Sequence, residues 1–152
     1  MAKAKLGATS IKRRDSCHPD LIRLIDLVVE RVPFDITILE GHRRIGRQFE
    51  LFQKGRTFIG GEWVITDKLK VVTKVDGYNI IGKHNYDPSR AFDTIKYPVD
   101  WKDEVSPLVL AGVVWSCASE LGIDIRPGID WDMDGDYDDQ AFMDVYHFEL
   151  RG

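Results

Sequence analysis

His84 lies in the stretch Lys83-His84-Asn85-Tyr86-Asp87-Pro88-Ser89-Arg90, and Asp93 follows in Ala91-Phe92-Asp93-Thr94-Ile95. Residues 91–95 read as a strand with one charged side chain among apolar neighbours. An unpaired buried carboxylate is costly, so Asp93 needs a partner. A metal such as zinc accepts both an imidazole and a carboxylate, and a catalytic zinc takes three protein ligands plus water. Two ligands are visible here, in a chain with only four histidines.

The tail offers a third ligand and a base. In Asp144-Val145-Tyr146-His147-Phe148-Glu149-Leu150, the residues Tyr146, Phe148 and Leu150 alternate with His147 and Glu149. A strand sends the first set to the core and the second to the opposite side. His147 is then the candidate third ligand, although a histidine in such a strand is also a common structural residue. Asp144, at the strand mouth, is the candidate base. Glu149 reads either as an acceptor for the other ring nitrogen of His147 or as a plain surface acid.

Around these residues the chain predicts an α+β architecture. Leu21, Leu24, Ile25, Val28 and Val32 recur at helical spacing after Pro19, with Ser16 or His18 as cap. Residues 34–40 alternate as a strand that Gly41 breaks, leaving His42-Arg43-Arg44 at its end. Two adjacent arginines read by spacing alone as a solvated pair. A helix over 45–54 follows, with Gly55 just past its end. Residues 62–66, 70–75 and 78–81 are β-rich and predict a hairpin or meander. A helix over 106–121, capped by Ser106 with Pro107 in its first turn, carries Leu108, Ala111, Val114, Ala118 and Leu121. A short strand over 123–126 ends at Pro127-Gly128. Residues 1–15 read as a loose basic arm.

At 152 residues the chain fits one domain. The net charge of −4 disfavours broad binding to nucleic acid or acidic lipid. No apolar run reaches membrane-span length, and the first residues do not read as a secretory signal. Cys17 and Cys117 are read as unlinked thiols of a reducing compartment.

Asp130, Asp132, Asp134 and Asp136, with Gly135, resemble the front of an EF-hand loop and raise Ca²⁺ as a second cation. Ala141 stands where such a loop closes with a bidentate Glu, and a solvated acidic loop is the plainer reading.

Taken together, these motifs resemble the zinc peptidases of the VanY/D-alanyl-D-alanine carboxypeptidase type, and most of all the phage L-alanyl-D-glutamate endopeptidases. The resemblance rests on His84-Asn85, Pro88-Ser89, Ala91 and Asp93, on Asp144 with His147-Phe148-Glu149-Leu150, and on four further segments. These are His18-Pro19-Asp20-Leu21, Glu40-Gly41-His42-Arg43, Gln48 with Gly55-Arg56, and the Asp130-Trp131-Asp132 loop. Gly82 departs from a pattern that often has Ser before the Lys-His pair.

The resemblance implies a hedgehog/DD-peptidase-like fold, a small antiparallel sheet packed against helices with the zinc site on the sheet. It implies zinc on His84, Asp93 and His147, Asp144 as general base, and Arg43 steadying the substrate or the developing oxyanion. Gln48, Ser89, Trp131 and Glu149 come forward as residues beside the site or the substrate. It further implies a monomer that cleaves peptidoglycan stem peptides at L-Ala–D-Glu and waits in the host cytoplasm until release. A D-Ala-D-Ala carboxypeptidase or dipeptidase, and a non-catalytic wall-binding module, are the alternatives. His18 and His42 stand outside the ligand set, so His18→Ala and His42→Ala are expected to leave metal stoichiometry unchanged, as measured by metal analysis of the purified variants.

Overall fold

The computed structural model describes residues 4–152. Helix α1 (Ala8–Asp15) leads into α2 (Pro19–Arg31), and strand β1 (Ile36–Glu40) follows. Helix α3 (Ile45–Gln53), the hairpin β2 (Arg56–Ile59) and β3 (Glu62–Ile65), and strand β4 (Ala91–Lys96) come next. The chain closes with α4 (Ser106–Leu121), β5 (Ile125–Pro127) and β6 (His147–Leu150). Four strands form an antiparallel sheet in the order β1-β4-β6-β5, and β2-β3 pair apart from it. This is the α+β arrangement expected.

One face of the sheet makes the core. Phe92 and Phe148 are direct partners on β4 and β6, and their rings stack at 5.4 Å. They join the α2 stripe Leu21, Leu24, Ile25 and Val28 and the α4 residues Leu110, Ala111, Val114, Cys117 and Ala118. Burying each large apolar side chain contributes about 1.5–3 kcal/mol, so this packing rather than helix propensity fixes α2 and α4 against the sheet. His18 caps α2 by accepting the Asp20 N–H, with Pro19 opening the helix. Cys17 and Cys117 are buried and unlinked. Burial pushes the Cys17 thiol up to about 12.

The loose basic arm is corrected. Residues 1–3 lie outside the described residues, but residues 8–15 form a helix with a defined task. Strand β1 is an edge, and α1 covers it. The Ser10 hydroxyl accepts the Ile38 N–H at 2.9 Å and Arg13 donates to the Ile38 carbonyl at 3.0 Å. Ser16 accepts the His42 N–H at 2.9 Å. Side chains of α1 and its cap thus meet backbone groups that no neighbouring strand reaches.

Two further expectations shift. Residues 70–75 and 78–81 are not strands; β3 pairs instead with residues 56–59. The carbonyls of Thr73 and Val75 are satisfied by Arg56 and Gln48 side chains, and Asp76 accepts the N–H groups of Tyr78, Asn79 and Ile80. In α4, Leu108 is exposed and Leu110 is buried. That helix is apolar nearly all round, so its periodicity could not fix its facing. The Asp103 carboxylate, not Ser106, meets the first N–H groups of the turn.

Ser10→Ala is expected to cost about 1–3 kcal/mol, because the buried Ile38 N–H loses its acceptor. Urea denaturation of the two proteins measures it.

Candidate active site

The opposite face of the sheet gathers the chemistry. Asp93 on β4 and His147 on β6 are direct cross-strand partners, so their side chains leave the sheet together. His84 comes from a short turn, Lys83–Asn85, pinned to the end of β1. The Arg43 N–H donates to the His84 carbonyl at 2.7 Å, and Asn85 Nδ2 donates to the Arg43 carbonyl at 3.1 Å. Gly41 is required here, since a Cβ would lie 2.4 Å from the Arg13 carbonyl oxygen.

The two imidazoles are oriented from behind. His84 Nδ1 lies 2.7 Å from the Gly41 carbonyl, and His147 Nε2 lies 3.0 Å from Glu149 Oε1. Each of those nitrogens must donate, which leaves His84 Nε2 and His147 Nδ1 as lone pairs in the neutral rings. Both face the same oxygen of Asp93, at 3.3 Å and 3.0 Å. One ligand atom each of His84, Asp93 and His147 therefore converges here, and these atoms lie within 4.8 Å of one another. Extra protons or one cation relieve that arrangement. The group can hold a metal ion, and its two nitrogens and one oxygen fit a divalent transition metal.

Burial opposes charge on the His147 ring, but Asp93 and Glu149 outweigh it and raise its pKa to about 9. Burial likewise opposes charge on Asp93, and its bonds to His147 and His84 win, holding it well below the usual carboxylate range.

Asp144 and Arg43 line the same cavity, of about 570 Å³, with His84, Asp93 and His147. Burial, then the charge of Asp93, raises the pKa of Asp144. Its backbone is clamped to Gly128, whose carbonyl accepts the Asp144 N–H at 2.9 Å, while the Gly128 N–H donates to His147 at 2.8 Å. Any Cβ on Gly128 would sit 2.3 Å from the Asp144 carbonyl oxygen. Arg43 is not a solvated surface residue. Its Nε and Nη2 grip both oxygens of Glu40, at 2.8 and 2.6 Å, and its Nη1 donates to Gln48 at 3.0 Å. Burial works against the guanidinium charge, and Glu40 more than offsets it. Among the described residues three of the five N–H groups are thus committed, which leaves two for a ligand. Arg44 lies outside the cavity lining.

The other sequence candidates divide. Gln48 is buried and ties Arg43 to the Val75 carbonyl. Trp131 lines the cavity with its ring 5.3 Å from that of His147. Glu149 is buried behind His147 rather than at the surface. Ser89 is corrected: it is fully buried, away from the cavity, and donates to the Ala91 carbonyl at 2.7 Å. His18 and His42 are engaged elsewhere, with the Asp20 N–H and the Tyr86 carbonyl.

Asp130, Asp132 and Asp134 cluster closely enough to hold a metal ion, but Asp136 is not among them. Asp130 is buried and spends both oxygens on the N–H groups of Asp134 and Gly135. That use closes the loop on itself. Sequence reading missed Glu40, Arg126 and Gly128. Only Glu40 left a signal, three residues before Arg43; the others matter through packing that appears once β5 lies beside β6.

Metal must displace any proton on His147 Nδ1. Since that ring's pKa is raised to about 9, metal affinity is expected to strengthen as pH rises from 6 towards about 9, with proton release on binding. Calorimetry in buffers of different ionisation enthalpy reads both effects; a pH-independent affinity would contradict the ligand assignment.

The model of a family described as phage L-alanyl-D-glutamate peptidase matches residues 2–151. The chain is 26% identical over 152 residues to the L-alanyl-D-glutamate peptidase of Escherichia phage T5, covering 96% of this chain and 97% of that one. Its fold matches the crystal structure of the Serratia marcescens L-Ala D-Glu endopeptidase ChiX with a TM-score of 0.65. That match has 22% identity and covers 98% of this chain and 92% of the other. The chain belongs to the phage L-alanyl-D-glutamate peptidase family.

Proposed function

We propose that the protein is a zinc-dependent endopeptidase that hydrolyses the L-Ala–D-Glu bond of peptidoglycan stem peptides. The observation that carries this is the convergence of His84 Nε2, Asp93 Oδ1 and His147 Nδ1 in a cavity also lined by Asp144 and Arg43. Family membership supplies the bond. His84, Asp93 and His147 are the residues that hold the metal. When bound, zinc supplies a Lewis acid that lowers the pKa of water towards ~7 and polarises a carbonyl.

The chain's own residues do the rest. Asp144 Oδ accepts the proton of the attacking water and returns it to the leaving amine. Its burial favours the protonated form, which suits a group that must carry that proton between two steps. The free N–H groups of Arg43 offset the charge that builds on the carbonyl oxygen; losing one such donor typically costs ~10²–10³ in rate. Glu40 and Gln48 keep the guanidinium from swinging away. On this reading the partner is bacterial peptidoglycan, reached from the host cytoplasm on release, and the chain acts as a single domain and a monomer. Among the described residues no helix is long and apolar enough to cross a membrane.

Digestion of purified peptidoglycan, with and without a zinc chelator, followed by mass spectrometry tests the proposal. Fragments with a free amino-terminal D-Glu, abolished by chelator, are expected; release of D-Ala instead would move the activity to the carboxypeptidase branch. Asp144→Ala is expected to keep zinc and lose turnover, whereas His147→Ala loses both. Near wild-type cleavage by Asp144→Ala would remove the base assignment.

A further inference from the structure

Arg126 lies on β5, directly opposite Glu149 on β6. Its Nη2 donates to Glu149 Oε2 at 3.0 Å, while Glu149 Oε1 meets His147 Nε2 at 3.0 Å. The buried carboxylate therefore spans two partners, one on each oxygen, and one of them is a metal-ligand candidate. The opposite nitrogen of that ring faces Asp93. A continuous line of side chains thus crosses three strands: Arg126 on β5, Glu149 and His147 on β6, Asp93 on β4. The other end of the guanidinium holds the cavity wall. Nη1 donates to the Trp131 carbonyl at 3.3 Å, and the group lies 5.7 Å from the centre of the Trp131 ring. Arg126 Nε is buried and has no acceptor among the described residues. The guanidinium is therefore held by its two terminal nitrogens, that is, by Glu149 and Trp131.

Resting on the metal reading above, we infer that Arg126 is a positioning residue that sets the affinity of the site for a divalent metal by fixing Glu149 against His147. The physical reason is geometric. A carboxylate with one bound oxygen can turn about its terminal torsion, but one held at both oxygens cannot. Held at both, Glu149 keeps the His147 N–H on Nε2 and the lone pair on Nδ1, aimed at the ligand point. Partners of this kind typically control metal affinity by 10–100-fold. A plain stabilising ion pair would not have this effect, and that difference is measurable.

The test is zinc affinity of the full chain at fixed pH, by competition with a chromophoric chelator and in the absence of substrate. Arg126→Met is expected to bind zinc about 10–100-fold more weakly, and Glu149→Gln to lose a similar factor. The double variant is expected to be no weaker than Glu149→Gln alone, because Arg126 acts through Glu149. Arg126→Lys, which keeps a charge but cannot reach both Glu149 and Trp131, recovers part of the loss and serves where Arg126→Met does not fold. Circular dichroism and thermal melting identify the folded variants. Wild-type affinity in a folded Arg126→Met, or losses that multiply in the double variant, would overturn the inference. A wild-type chain that binds no zinc would overturn it together with the metal reading, whereas the presence or absence of peptide cleavage does not enter this measurement.

Discussion

The structure turns on an electrostatic constraint: two imidazoles and a carboxylate meet at one point in a buried place. One ring nitrogen of each imidazole is held from behind, by a backbone carbonyl and by a carboxylate, so that the other nitrogen faces Asp93. Groups of this kind are costly to bury unless a proton or a cation is shared among them. Much of the fold can be read as the scaffold for this meeting. The β4–β6 register sets Asp93 against His147, and α1 closes the β1 edge from which the His84 turn hangs.

The sheet divides labour between its faces through strict alternation. Along β6, His147 and Glu149 serve the site while Phe148 and Leu150 enter the core. A slip of one residue in the β4–β6 pairing would exchange the two sets, burying carboxylates among leucines. The stacked Phe92–Phe148 pair is therefore as much a determinant of the site as the ligands, since it fixes the register they depend on.

How much of this the sequence disclosed follows from the range of the interactions. Alternation in the tail and the lone acid in residues 91–95 are local patterns, and they pointed correctly to His147, Glu149 and Asp93 as one-sided. The α2 stripe and its His18 cap are equally local. Arg43 reads as a solvated residue by spacing, because its burial comes from Glu40 and Gln48 closing over it; both are near in sequence, but only the fold of the strand end brings them to the guanidinium. The α1 helix looked like an arm because its value lies in bonds to Ile38, far along the chain. The stretch from 70 to 81 has strand composition, yet its carbonyls are taken by Arg56 and Gln48 side chains, and β-propensity gives way to that. Gly128 and Arg126 gain meaning only once β5 is laid beside β6.

One consequence concerns how such a protein can vary. The reacting groups stand on or beside the paired strands, whereas the cavity walls, at residues 72–75 and at Trp131 and Phe142, belong to segments that pair with no strand of the sheet. The first wall is moored by a few side-chain bonds and the second by Arg126 and a loop closed on Asp130. Insertions and substitutions in those segments leave the strand register untouched. Changes there can reshape what the cavity admits while the paired strands keep Asp93 and His147 in place.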